Sequence, residues 1–516
     1  DEMSILKGII KSEKIFDSSA NQTEDNYVST IYDSHKFVRD LEERSGVSLR
    51  DIKRVLVMYK WFLQSLVNIS KMLPNAKDLL EDQRAKSWAL VSALMVCYGL
   101  RLNGREEQQK FLEDLTFRVN STFSIKKQRK AEIHDILPKI SDFFLTELKK
   151  EGTAILGEGT AINRPLKENF ITMLAAFDTV TPMIICGAPG TSKTLSTHIL
   201  NSAMVPYIMK KYSLFGMFSR GINPIYYGGS ETSTSEGISH VFRRGEKYLE
   251  QEGEDRPVVV FDEIGLAELS PYNPLKVLHP LLEKKDMKVG FIGLSNWTLD
   301  LSKMNRLIFI SRPDMELNDL VDIFESSLAI GNEKDLQTSL KKYLFTLAKA
   351  YLSFRDWQKR FGSHPNFHGS RDIYSVAKFF YNALQNIKQS KDLRGGTSQE
   401  QTFNLIKTGI ERNFSGTNYE FSTERVAGGP LAVPITTVDG MIDENRFGFE
   451  QTQDISKAQR LEDFYSVKAG GSGELVLSRN TSSSTYPGLM FSSSQVFKKF
   501  FLNKFSSDPE CEILRQ

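Results

Sequence analysis

Cysteine is scarce in this chain. Three occur in 516 residues, Cys97, Cys186 and Cys511. They are too far apart, and too free of C-x-x-C pairing, to build a disulfide framework, a zinc site or a ring-finger array. A reducing, cytoplasmic setting fits that usage. Charge of one sign is lacking as well. The net charge is +2, and the one strong basic run, KKQRK at residues 126–130, reads as a solvated helix face, so no nucleic-acid groove is implied. Long apolar runs are missing too: the longest, residues 88–100, is interrupted by Ser92 and reads as a buried helix, too short for a transmembrane segment. No signal peptide is visible. An N-K-x-D guanine motif is absent, which sets a GTPase aside. So is a groove of interleaved aromatic and basic residues, which disfavours a helicase-like ring. The chain opens at Asp1, not methionine, so a piece of something longer is expected.

What is present is an ordinary globular composition, 40% hydrophobic and 25% charged, with room for several domains. Within it stands GAPGTSKT, residues 187–194. The spacing is that of the phosphate-cradling loop G-x-x-x-x-G-K-[ST], with Ser192 where the second fixed glycine belongs. In such a loop small residues (Gly187, Ala188, Pro189, Gly190, Thr191) let backbone N–H groups face phosphate oxygens. Lys193 neutralises the outer phosphates, and Thr194 offers its hydroxyl to Mg²⁺. Serine at 192 suits a helix cap. On spacing alone an ordinary Gly-rich turn remains open, but an apolar run ends at Gly187 and a helical pattern follows Lys193, as the motif requires.

Further on, VVVF at 258–261 is closed by Asp262 and Glu263. A buried parallel strand would place this pair beside the loop, with Asp262 in the Mg²⁺ shell and Glu263 orienting or deprotonating the attacking water. Strand candidates at 182–187, 223–230, 257–263, 288–296 and 307–312, joined by helical connections, predict a doubly wound parallel five-stranded α/β sheet. Its carboxyl edge would gather Lys193, Asp262 and Asn296. Asn296 ends the fourth strand and reads either as a phosphate or water contact or as a turn residue. Residues 164–177 predict a packing helix with Leu166, Phe170, Leu174 and Phe177 on one face. Ser233 and Glu236 have capping-box spacing, and Gly228 and Gly229 make their loop a candidate lever. An internal echo, SLRDIKRVL at 48–56 against GSRDIYSVA at 369–377, sets Arg50 and Arg371 at equivalent places 321 residues apart. A module owning Arg50 would need its phosphate loop about 130 residues before Asp1.

These stretches, with LAELSPYNPLKVLHPLLE and GFIGLSNWTLDLSKMNR, resemble the AAA+ ATPases and among them the mysterin family, giant ring-finger ubiquitin ligases with dynein-like tandem AAA+ modules. The likeness covers about three quarters of the chain and fades after residue 416. It implies a P-loop NTPase core with a small helical lid and ATP and Mg²⁺ as ligands. By position it implies Lys193 and Thr194 as Walker A, Asp262 and Glu263 as Walker B, Asn296 as sensor 1 and Arg371 as sensor 2. Arg306, before the fifth strand, resembles an arginine finger offered to a neighbouring module, with Arg312 as second choice. The expected division is 1–150, an all-helical segment holding the lid of a preceding module; 151–325, the α/β core; 326–390, the lid; and 391–516, a C-terminal segment. Its Ser/Gly-rich stretch, 469–494, departs from the family and reads as a flexible or mis-spliced end. Partners implied are neighbouring modules of the same chain and, through the parent, the ubiquitin machinery. An ATP-holding scaffold with little hydrolysis is the rival function.

Overall fold

Short runs of β-branched and aliphatic residues, closed by glycine or a polar side chain, become five strands in the computed structural model: β1 (Met183–Gly187), β2 (Ile222–Gly228), β3 (Arg256–Asp262), β4 (Gly290–Ser295) and β5 (Ile308–Arg312). All five expected strands form. They pair in parallel, in the order β2-β3-β4-β1-β5, so the doubly wound five-stranded α/β fold stands. One expectation changes. Because β4 lies between β1 and β3, the strand carrying Asp262 is not the direct neighbour of the loop's strand; the strand ending at Ser295 is.

The structure describes residues 6–10, 21–42, 47–74, 76–77, 82–122, 130–150, 153–156, 160–251, 254–284, 286–328, 334–361, 368–389, 399–414, 418–421 and shorter segments at 432–436, 465–469, 474–479, 489–492, 494, 497–498 and 500–501. Four of the five residues of the KKQRK run fall outside them. The chain divides into two units, Asp1–Glu158 with Ile162–Asp314, and Gly159–Ala161 with Met315–Gln516.

In the first unit, helices α1 (Asn21–Leu41), α2 (Leu49–Met72), α3 (Asp82–Cys97), α4 (Arg105–Thr122) and α5 (Ile136–Lys149) precede α6 (Arg164–Asp178). The apolar run at 88–100 is buried, as expected. No described helix is long and apolar enough to cross a membrane. Helix α6 starts where Asn163 accepts the Leu166 N–H at 3.1 Å, a side-chain cap for an otherwise orphan donor. Leu166, Phe170, Leu174 and Phe177 are all buried. At its other end Arg256, opening β3, donates to the Phe177 and Asp178 carbonyls at 2.8 and 2.6 Å, placing a cation on the negative helix terminus. The Asp178 carboxylate accepts from the Trp61 indole of α2 at 2.9 Å. The helical segment and the sheet thus share one core. Phe144 of α5, fully buried, meets Phe215 edge-on at 5.6 Å and stacks on Phe218 at 6.1 Å.

The second unit gathers helices at Leu317–Leu328, Lys334–Phe361, Ser370–Gln389 and Gln399–Asn413 around Phe354, Trp357, Phe414 and Phe497. The tail at 469–494 does not follow the reading of a flexible end throughout: Glu474–Arg479 pairs with Tyr465–Ala469, and Leu489–Ser492 with Asn418–Phe421, both antiparallel. The R-D-I echo is structural. Ser48 N–H donates to Asp51 at 2.8 Å and Gly369 N–H to Asp372 at 2.9 Å, the same reach of a third-position carboxylate back to a cap.

Because the neighbours of Phe144 belong to the connection between β1 and β2 while Phe144 itself belongs to the helical segment, Phe144→Ala should cost about 3–5 kcal/mol in chemical denaturation of the whole chain. A loss below about 1 kcal/mol would mean that the two parts do not share a core.

Candidate functional site

The loop at 187–194 leaves β1 at Gly187, whose Cα faces Arg312 on β5; a Cβ there would come within 2.6 Å of the Arg312 Cβ, so no larger residue fits. Ala188 is half-buried, Pro189 and Gly190 form an exposed rim, and Thr191 is buried, its hydroxyl donating to the Ala188 carbonyl at 2.9 Å. Lys193 is only 7% exposed. Its ammonium turns back into the loop, donating to the Gly187 and Ala188 carbonyls at 2.5 and 3.0 Å, with the Thr191 hydroxyl at 3.4 Å. Thr194 is exposed one residue into the helix α7 (Lys193–Ala203). Burial pushes the Cys186 thiol up to about 12, so beside the loop it is a neutral packing group.

Ser192 occupies the cap position of α7, yet the expectation of a serine cap fails. Its φ is 60° and its side chain makes no cap hydrogen bond; an N-cap side chain needs an extended backbone to reach the third N–H. What the position demands is the left-handed backbone that glycine adopts freely and that costs other residues about 1–2 kcal/mol. Four non-glycine residues have positive φ among those described: Val180, Ser192, Glu263 and Asn273. Two of the four are residues expected at the site, which is where such strain tends to collect.

The acidic pair closes β3. Asp262 is half-buried and Glu263 exposed, with φ 51°; an Asp262 carboxylate oxygen accepts the Glu263 N–H at 2.9 Å and holds that turn. Gly229 lies against it. Its N–H donates to the Asp262 carbonyl at 2.8 Å, and a Cβ would approach the Glu263 carbonyl to 2.2 Å. Asn296 stands exposed just past β4. Lys193, Asp262, Glu263 and Asn296 therefore all follow the carboxyl ends of parallel strands of one sheet. Among the described residues no group of three or more His, Cys, Asp or Glu could hold a metal alone. Thr194 and Asp262 carry hard oxygen donors, the type that Mg²⁺ prefers. The capping box is corrected: the helix Ser235–Glu250, α8, is capped by Thr234, which accepts the Gly237 N–H at 3.2 Å. Glu236 pairs with Arg243 at 2.5 Å, while the Ser233 hydroxyl accepts from Ser230 N–H at 3.0 Å.

The arginines separate. Arg306 precedes the amino end of β5, whereas the loop follows the carboxyl end of its parallel neighbour β1, about 13 Å of strand away. Its guanidinium pairs with Glu283 at 2.9 Å, and Arg50 of α2 pairs with the same carboxylate at 2.9 Å. Arg312 is buried in its own unit, bound to Glu168 and donating to the Asn169 side chain at 2.6 Å, which removes it as an outward finger. Arg371 belongs to the second unit and is exposed. The sequence reading missed Glu168 and Asn169. Glu168 binds Arg164 at 2.8 Å as well as Arg312; burial would raise its carboxyl, and the two guanidiniums outweigh that and hold it below its ordinary value. Asn169 donates to the Thr191 carbonyl at 3.0 Å. The signal was there: Asn169 falls three residues after Leu166, inside the apolar stripe, where a polar side chain needs partners.

Residues 159–319 match the family described as the RNF213 AAA domain. The mouse protein named E3 ubiquitin-protein ligase RNF213 is 31% identical over 78% of this chain, and zebrafish E3 ubiquitin-protein ligase rnf213-beta 30% identical over 80%. The chain spans about 8% of the length of either. Among solved structures, C. elegans PCH-2 overlays with a TM-score of 0.32 at 15% identity, covering 56% of this chain and 69% of that one.

Since the strain at Ser192 lies in its backbone and its hydroxyl caps nothing, Ser192→Gly should leave stability unchanged or raise it by up to about 1 kcal/mol. Affinity for labelled ATP should stay within about threefold. A collapse of binding would make the hydroxyl a ligand in its own right.

Proposed function

Residues 159–319 belong to the RNF213 (mysterin) AAA domain family, and from that premise we propose that this chain is an ATP-binding and ATP-hydrolysing AAA+ module that couples turnover to conformational change. One observation carries the reading: the lysine loop, the Asp262–Glu263 pair and Asn296 share the carboxyl edge of one parallel sheet, the edge where such folds bind ligands. The Lys193 ammonium already sits on loop oxygens, where phosphate oxygens would compete for it with a full negative charge. Thr194 and Asp262 would hold Mg²⁺, which supplies charge neutralisation on the phosphates. Glu263, exposed at a turn held by Asp262, is the group to orient or deprotonate water; Asn296, just past the end of the adjacent strand β4, is the polar side chain assigned to the terminal phosphate or that water. Arg371 is assigned to sensor 2 by resemblance.

Arg306 is the finger for a neighbouring module in this reading, supported by its place at the opposite end of the sheet from its own loop. The preceding module's lid would then be the helical segment, whose Arg50 has the same place on its helix as Arg371. Turnover by the chain alone is accordingly slow, which is also where the alternative of an ATP-holding switch draws support. Ubiquitin transfer belongs to the parent chain and not to these residues, whose three cysteines build no ring finger. A cytoplasmic setting accords with Cys97 and Cys186, both buried free thiols.

Lys193→Ala should abolish binding of labelled ATP, and unchanged affinity would sink the phosphate-loop assignment. Glu263→Gln should retain ATP and slow its hydrolysis about 10²-fold or more; a normal rate would place the base elsewhere. Arg306→Ala should leave the residual rate of the isolated chain unaltered and lower that of a chain joined to its upstream neighbour. Fast turnover by a dilute monomer, lost with Arg306, would overturn the trans-acting role.

A further inference from the structure

Beside the loop lies a buried polar chain that the proposed chemistry does not use. Arg164 binds Glu168 at 2.8 Å, Glu168 binds Arg312, Arg312 Nε donates to the Asn169 Oδ1 at 2.6 Å, and Asn169 Nδ2 donates to the Thr191 carbonyl at 3.0 Å. Asn169 has no solvent exposure, and Glu168 and Arg312 have 4% and 7%. The direction of the chain is set by donor chemistry. A guanidinium can only donate, so the oxygen of the Asn169 amide must face Arg312, and its NH₂ must face the loop.

We propose that Asn169 is a positioning residue for nucleotide binding: by holding the Thr191 carbonyl it fixes the orientation of the peptide plane between Thr191 and Ser192, and Arg312 and Glu168 keep its amide the right way round. The proposal rests on the reading of residues 187–194 as a phosphate loop. Its physical basis is the planarity of the trans peptide, in which C=O and the following N–H point in opposite directions; among the described residues no peptide bond is cis. With the Thr191 carbonyl drawn toward α6, the Ser192 N–H is directed away from α6. The same plane sets φ of Ser192. Were it to turn over, φ would leave 60° for the extended region that serine prefers, and the N–H would reverse. Serine at this position therefore makes the loop dependent on the clamp, because its own preference favours the reversed plane. Glycine, indifferent to the sign of φ, would depend on it less.

That dependence separates a positioning role from a merely structural one, since residue 192 has no hydrogen bond to Asn169. Binding of labelled ATP with Mg²⁺ and the melting temperature are measured for the whole chain, for Lys193→Ala, and for Asn169→Ala and Asn169→Asp with and without Ser192→Gly. Asparagine-to-aspartate keeps an acceptor for Arg312 but sets an oxygen against the Thr191 carbonyl. Each single variant at 169 should bind ATP about tenfold more weakly, the scale of one buried hydrogen bond, and adding Ser192→Gly to Asn169→Ala should bring affinity back to within about threefold of the unmodified chain without restoring the melting temperature. If the unmodified chain binds no ATP, or Lys193→Ala binds it equally well, the phosphate-loop reading itself falls. If Lys193→Ala abolishes binding while both variants at 169 bind normally, or Ser192→Gly rescues neither, the positioning role alone is overturned. Failure of both to fold would assign the network to stability and overturn it as well.

Discussion

A guanidinium buried at the end of an edge strand cannot be left alone. Taking Arg312 out of water costs several kcal/mol unless its donors are met, and the groups that meet its Nε and Nη1, Asn169 and Glu168, both lie on α6. The position of that helix relative to the sheet follows from this requirement. From α6 the constraint spreads three ways: through Asn169 to the loop, through Arg164 to Asp135 at 3.0 Å and the helical segment, and through the carbonyls at 177 and 178 to Arg256 and β3. One buried pair thus ties together the strand, the loop and the helices that surround them. Replacing Arg312 and Glu168 with apolar residues of similar volume could keep the helix packed, but it would leave the Asn169 amide without the donor that keeps its NH₂ toward the loop's carbonyl.

The strands were legible because each is a short apolar run with a clear stop, and parallel pairing followed from the helical connections. Their order was not legible, since an apolar strand carries no label for its neighbours; β4 came between β1 and β3 although sequence alone set the acidic pair beside the loop. Local chemistry misled where two capping residues compete. Ser233 has the right spacing to Glu236, yet Thr234 takes the cap, because the Ser233 hydroxyl accepts from the turn before the helix and its carbonyl receives the Ser270 hydroxyl at 2.8 Å, a partner 37 residues away. Ser192 was legible as a departure from the loop's pattern, but its left-handed backbone depends on a peptide plane set from α6. Glu168 and Asn169 were visible as letters in a helix whose apolar face drew the attention, and their partner Arg312 was visible only as a candidate finger.

The repeated R-D-I element shows a different kind of legibility. Nine residues predicted an equivalence that reappears as the same reach of an aspartate to its cap N–H, at 51 and at 372. Arg50 and Arg371 sit one residue before those aspartates. Arg50 shares Glu283 with Arg306, so one carboxylate joins a residue of the helical segment to one at the amino end of β5. Both members of that junction are partly exposed, and its strength will vary with ionic strength.

In the second unit the rings of Phe414 and Phe497 lie 4.3 Å apart between centroids, although 82 residues separate them in the chain. Between them in the sequence, the described segments at 418–421 and 489–492 pair as one small antiparallel sheet, and those at 432–436, 465–469 and 474–479 as another. Closing a loop costs only about 0.6 kcal/mol more for each doubling of its length, so an aromatic contact across so long a separation in sequence costs this core little more than one across half that distance.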